Sequence, residues 1–84
     1  MEFDYRTRGT CSSNIHVELD GRKVRRVVFT GGCNGNLQGI SRLVEGMDID
    51  DVITRVRGIR CGMKATSCPD QLAKALEQAK AELG

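Results

Sequence analysis

The chain has 84 residues, a formal net charge of +2 and 39% hydrophobic residues. This fits one domain over residues 1–84, because two would leave roughly 40 residues each, too few to fold without staples. Thirteen basic residues against eleven acidic ones is too even a balance to imply a polyanionic partner, so nucleic acid is not favoured. No apolar run approaches the roughly 20 residues of a bilayer span, and Glu2, Asp4, Arg6 and Arg8 occupy the start where a signal peptide would be apolar. A soluble, cytoplasmic protein with no membrane attachment is expected.

Apolar residues at every second position predict two half-buried strands, Phe3 and Tyr5 against Asp4 and Arg6, then Ile15, Val17 and Leu19 against His16, Glu18 and Asp20. Asp20-Gly21 signals a tight hairpin turn, Gly tolerating the positive φ required, and Lys23 to Thr30, with Val24, Val27, Val28 and Phe29, predicts a third strand. The breakers from Thr30 to Asn36 mark a strand-to-helix loop. Leu37, Ile40, Leu43, Val44 and Met47 then form one helical stripe, with Asn36 as N-cap and Gly46 as stop. Ile49, Val52, Ile53 and Val56 define a second helix, opened by Asp48 with Asp51 three residues on and closed at Gly58. Ser67 caps a third, Pro69 sits in its first turn and Asp70 suits its positive end. Its buried face is Leu72, Leu76, Ala79 and Leu83, with Ala73 and Ala75 alongside. These elements predict an α+β fold, a three-stranded antiparallel meander followed by three helices packed on one sheet face.

Phe3, Tyr5 and Phe29 are the whole aromatic complement, so the core is thin and a cross-link or bound metal would weigh heavily in stability. Cys11, Cys33, Cys61 and Cys68 all fall at element ends. In a meander the loops after strands one and three share a sheet end, which brings Cys11 and Cys33 together. Cys33 and Cys68 precede or open helices, where the unpaired N–H groups favour thiolate. In a reducing cytosol four cysteines point away from structural disulfides. Three readings stay open at this point, since no Cys-x-x-Cys is present. The four thiolates hold a soft metal, Zn²⁺ or an iron-sulfur cluster, zinc being the simpler case; or Cys61 and Cys68 exchange disulfides; or the thiols are merely packed.

Other features are read more plainly. His16 is expected to face solvent on strand two, outside any site. The Gly31-Gly32-Cys33-Asn34-Gly35-Asn36 loop lacks the Lys and Ser/Thr of a phosphate loop, so its glycines are read as letting the backbone wrap Cys33 instead of binding a nucleotide. Arg22, Lys23, Arg25 and Arg26 read as a solvated edge that blocks strand pairing. No nucleophile with a base and no paired acid and base stands out, so no substrate and no independent catalysis are expected. Helix two and the sheet edge each offer a surface for a homodimer.

At Thr66-Ser67-Cys68-Pro69-Asp70, with Gly32-Cys33-Asn34-Gly35-Asn36 and Cys61-Gly62 before it, the chain resembles the TSCPD domain family over nearly its whole length. That resemblance implies a cysteine metal site on Cys11, Cys33, Cys61 and Cys68. It also implies a link to ribonucleotide reduction and so to DNA synthesis, because the domain occurs at the C-terminus of cobalamin-dependent ribonucleoside-diphosphate reductases. The reductase barrel, its radical site and a corrin pocket are too large for 84 residues, so a reductase label would be inherited. The order Cys11, Cys33, Cys68 is also similar to U-type iron-sulfur scaffold proteins, which implies their fold layout and a cluster at those residues. Cys61 departs from that pattern, and a fourth thiolate favours a structural metal over cluster transfer. A thiol relay to a reductase, with Cys68 attacking and Cys61 resolving, is the alternative.

Overall fold

The computed structural model describes residues 1–32 and 34–83. Its elements in chain order are β1 (Glu2–Arg6), β2 (Ser12–Asp20), β3 (Lys23–Gly31), α1 (Asn34–Val44), α2 (Ile49–Val56) and α3 (Cys68–Leu83). The strands form one antiparallel sheet in the order β1-β2-β3, so the α+β arrangement expected from the two periodicities is the arrangement found. A two-residue turn at Gly21 and Arg22 joins the paired Asp20 and Lys23, and Gly21 takes φ +60 there.

Val24 and Val27 are three residues apart, yet both are buried. The pairing explains this: Glu18 faces Arg26 and Leu19 faces Val24, so Arg25 is an extra residue in β3. A bulge of this kind shifts the alternation by one and lets both valines point inward. Val28 falls on the outer face, opposite His16. The inner face (Ile15, Val17, Leu19, Val24, Val27) meets Val44, Ile49, Val52, Ile53, Leu72, Ala73, Ala75, Leu76 and Ala79 in a single cluster. Small alanines at 73, 75 and 79 let α3 lie close to the sheet.

Three details differ from the sequence-based expectation. Helix α1 starts at Asn34, so Asn36 lies in its first turn and is not its cap; Gly31 and Gly32, both at positive φ, turn the chain immediately after β3. Leu43 is 78% exposed, because α1 buries Leu37 and Val44 and position 43 is rotated about 100° from 44. Leu83 is 41% exposed, since α3 has 16 residues against the 8 of α2 and outruns its partner by about two turns. Asp48 caps α2 as expected, accepting a hydrogen bond from the Asp50 amide at 2.9 Å. The basic residues at the hairpin are paired: Arg22 with Asp50 at 2.5 Å, and Arg25 with Glu18 at 2.8 Å.

On the outer sheet face, His16 is held between strands instead of merely facing water. Its Nδ1 lies 2.9 Å from Asp4 Oδ1, and its Nε2 lies 3.3 Å from Glu18 Oε2 and 3.4 Å from Glu2 Oε1. The hydrogen bond to Asp4 raises the His16 pKa above its ordinary 6.5, outweighing desolvation, with Glu18 adding to the rise. Asp4 is lowered from 3.8, chiefly by the same bond. A group with a raised folded pKa stabilises the fold fully below its unfolded value and loses that contribution as pH rises through the folded one. We therefore expect the melting temperature of the wild type to exceed that of His16→Gln most between about pH 4 and pH 6.5, and the difference to shrink at higher pH. Thermal denaturation of both proteins across pH 5 to about 8.5, at constant metal content, checks this; a pH-independent difference would refute it.

Candidate metal centre

The site is organised by the N-terminus of α3. Ser67 Oγ accepts a hydrogen bond from the Asp70 amide at 3.1 Å, the capping arrangement expected, and also donates to the Ile59 carbonyl at 2.6 Å. Asp70 is buried at 6% exposure. One of its carboxylate oxygens accepts from Gly58 N at 2.7 Å and the other from the Thr66 hydroxyl. The Thr66 hydroxyl bond, opposed by burial and aided by Gly58, Lys74 and Arg57, holds Asp70 below the usual carboxylate range. Gln71, 2% exposed, donates to Thr66 Oγ1 at 3.0 Å and accepts from the Arg8 amide at 3.1 Å. These bonds tie two loops to one helix end: residues 57–66, which carry Cys61, and residues 7–11, which carry Cys11.

Cys11 Sγ and Cys68 Sγ are 4.0 Å apart, and Cys11, Cys61 and Cys68 line one cleft of ≈ 20 Å³ together with Thr10, Lys64 and Ser67. Cys68 is buried, whereas Cys11 and Cys61 reach solvent. Ser12 Oγ lies 3.2 Å from Cys68 Sγ. Burial opposes ionisation of the Cys68 thiol, but bonds from the Ser12 hydroxyl and backbone, from Cys11 and from Thr10 together hold it below its ordinary 9.0. Gly32 packs against Cys11: a Cβ there would stand 2.9 Å from Leu37 Cδ1 and 3.1 Å from Cys11 Sγ, at φ +78. Gly35 and Asn36 line the wider groove that the three cysteines share. Cys33 lies outside the described residues.

Of the four cysteines singled out in the sequence, Cys11 and Cys68 are in contact, and Cys61 lines the same cleft without closing a group of three mutually close donors with them. Sequence reasoning missed Ser12, Gln71 and the tie from Asp70. Gln71 gives a signal, a polar residue on the otherwise apolar stripe of α3. Ser12 gives none, because a second register shift, between Ser12 and Asn14, is what turns its side chain inward.

The Cys11–Cys68 pair has the spacing of two neighbouring ligands on a tetrahedral soft metal. Zinc–thiolate bonds of about 2.3 Å place neighbouring sulfurs about 3.8 Å apart, close to the 4.0 Å between Cys11 and Cys68. Fold and site together define a small α+β domain in which Cys11 meets Cys68 at a capped helix end, with Cys61 on the same cleft. The model of the TSCPD domain family matches residues 3–80, and the chain belongs to that family. No curated protein and no solved structure matches it.

Replacing Thr66 by Val removes a donor to buried Asp70 and an acceptor for buried Gln71. An unmade buried bond costs about 1–3 kcal/mol, so Thr66→Val should lower the melting temperature by at least about 5 °C, while Thr66→Ser should recover most of it. Equal stability of both variants, read by thermal denaturation, would dismiss the network.

Proposed function

We propose that Cys11, Cys61 and Cys68, with Cys33 as fourth donor, bind one soft metal ion, and that the chain is a metal-binding accessory module without catalysis of its own. The observation that carries this is the 4.0 Å approach of Cys11 and Cys68 across the cleft that Cys61 also lines. Zinc is the simplest occupant of a four-thiolate shell; an iron-sulfur cluster uses the same ligands. The lowered pKa of Cys68 supports the reading, since metals bind the thiolate. Bound metal would cross-link β1–β2, the α2–α3 connection and α3, which a core with three aromatic residues stands to gain from. The family resemblance extends the role to the neighbourhood of a ribonucleotide reductase and DNA synthesis, to be sought as co-elution of the metal-loaded chain with such an enzyme.

A thiol relay is the second reading. The thiol found beside Cys68 is Cys11, so attack by the Cys68 thiolate on a disulfide would be resolved most directly through Cys11. A disulfide needs a separation near 2.05 Å, which requires the two sulfurs to close by about 2 Å.

Elemental and thiol analysis of anaerobically purified protein separates these readings. About one zinc per chain, with thiols that react only after unfolding or chelation, is the expected result. Iron with sulfide would assign a cluster. Metal-free protein that yields a Cys11–Cys68 or Cys61–Cys68 disulfide with diamide would replace the metal reading by the relay. Cys68→Ser should lose the metal and lower the melting temperature by more than about 10 °C, because metal binding and folding are coupled. A chelator should destabilise the wild type alone.

A further inference from the structure

The outer face of the sheet carries a second cluster of metal-ligating side chains, remote in kind from the cysteine cleft. One atom each from Glu2, His16 and Glu18 lies within 4.8 Å of the others. We propose that Glu2 Oε1, His16 Nε2 and Glu18 Oε2 form a surface site for a divalent transition metal, with Zn²⁺ the best geometric fit.

Four observations carry the assignment. First, Nε2 stands 3.4 Å from Glu2 Oε1 and 3.3 Å from Glu18 Oε2. A tetrahedral ion with bonds of about 2.0–2.1 Å to nitrogen and oxygen separates neighbouring donors by about 3.3–3.4 Å. Second, Asp4 Oδ1 takes the opposite ring nitrogen at 2.9 Å. That is the outer carboxylate which, in metal sites, fixes the tautomer and turns the Nε2 lone pair to the ion. Third, Arg25 holds Glu18 by its other oxygen, Oε1, at 2.8 Å, leaving Oε2 for the ring side; Arg26 stands farther off, 3.8 Å from Oε2. Fourth, the register sets Glu2 directly opposite Glu18. Like charges facing across a strand pair are unfavourable, and a cation between them removes the cost.

The donors sit on paired strands, so little ordering remains for binding to impose. Two carboxylates and a neutral imidazole balance a divalent charge and leave the fourth position to water. The donors here are nitrogen and oxygen instead of sulfur, so the thiolates of the cysteine cleft are expected to take zinc first and this trio to fill after them. The ion competes with a proton at Nε2, which leaves to solvent on binding, so affinity rises with pH.

His16 is the single histidine of the chain, which makes its ring an unambiguous probe. The experiment titrates Zn²⁺ into the full chain at about pH 7.5, past saturation of the cysteines, while NMR follows the His16 ring protons. One further equivalent of zinc should shift those signals and stop the ring from titrating near its free-protein pKa. His16→Gln should abolish the extra equivalent, and Asp4→Asn should weaken it about 10–100-fold. All these positions lie on the outer face, so retained amide dispersion verifies the fold. Ring signals and ring titration unchanged up to millimolar zinc would overturn the site and leave His16 a partner of the neighbouring carboxylates alone. Wild-type zinc affinity in a Glu2→Gln/Glu18→Gln double variant would overturn it too, showing a lone imidazole at work. Neither result depends on what the cysteines bind.

Discussion

The N-terminus of α3 is the joint on which the rest of the molecule turns. A helix start leaves N–H groups without helical partners, and here Ser67 satisfies one while its hydroxyl also reaches the Ile59 carbonyl. Asp70 and Gln71, both buried, extend the same junction to Gly58, Thr66 and Arg8. Buried polar groups are costly unless every one is partnered, and among the described residues no buried side-chain nitrogen or oxygen lacks a partner. Irregular loops that would otherwise wander are thereby fixed to a rigid helix, and the cysteines they carry are fixed with them.

This gives the five residues of the Thr66-Ser67-Cys68-Pro69-Asp70 signature separate physical tasks. Thr66 and Asp70 bond to each other and so close the turn before the helix. Ser67 caps, Pro69 supplies a fixed φ in a first turn that has no use for its missing N–H, and Cys68 is left as the group with a free chemical valence. Its thiol is buried yet held toward ionisation by Ser12, Cys11 and Thr10. A thiolate prepared in this way is suited to a metal or to disulfide exchange alike. Two further thiols line the same cleft, and one of them, that of Cys11, stands 4.0 Å from Cys68 Sγ.

Much of this architecture was legible in the sequence because its elements are regular. The alternation in β1 and β2, the stripe Ile49, Val52, Ile53 and the cap at Ser67 each follow from a short-range rule, and each is found. What escaped was set by register and by long-range packing. The bulge at Arg25 decides that Val24 and Val27 share a face, and the shift at Ser12 decides which of two adjacent serines meets Cys68; neither leaves a mark on local periodicity. The early start of α1 and the exposure of Leu43 depend on how the helix seats against β3, a tertiary matter. His16 was placed on the correct face, but of its three carboxylate neighbours only Glu18, two residues on in β2, is local; Asp4, directly opposite, and Glu2, on the diagonal, come from pairing with β1. Pairing of that kind can be read only once the register is known.

The two ends of the sheet are closed by different chemistry, and the difference follows from what each end has to work with. At the hairpin end, backbone bonds from Val24 N to Met47 O at 2.9 Å and from Ile49 N to Arg22 O at 2.8 Å join the α1–α2 connection to β3. There Asp50 receives both Arg22 and Lys80. Exposed ion pairs contribute little singly, but here they reinforce main-chain bonds that already set the geometry. At the opposite end loops meet a helix start, and among the described residues the main-chain bonds there, such as Thr7 N to Ser13 O and Cys61 N to Thr66 O, run within a loop instead of between loops. Side-chain hydrogen bonds made by Thr66, Ser67 and Gln71 and accepted by Asp70 take over that task, and Cys11 and Cys68 meet beside them. The fold thus closes one end with its own backbone and the other with side-chain hydrogen bonds, and it is at this second end that Cys11, Cys61 and Cys68 line one cleft.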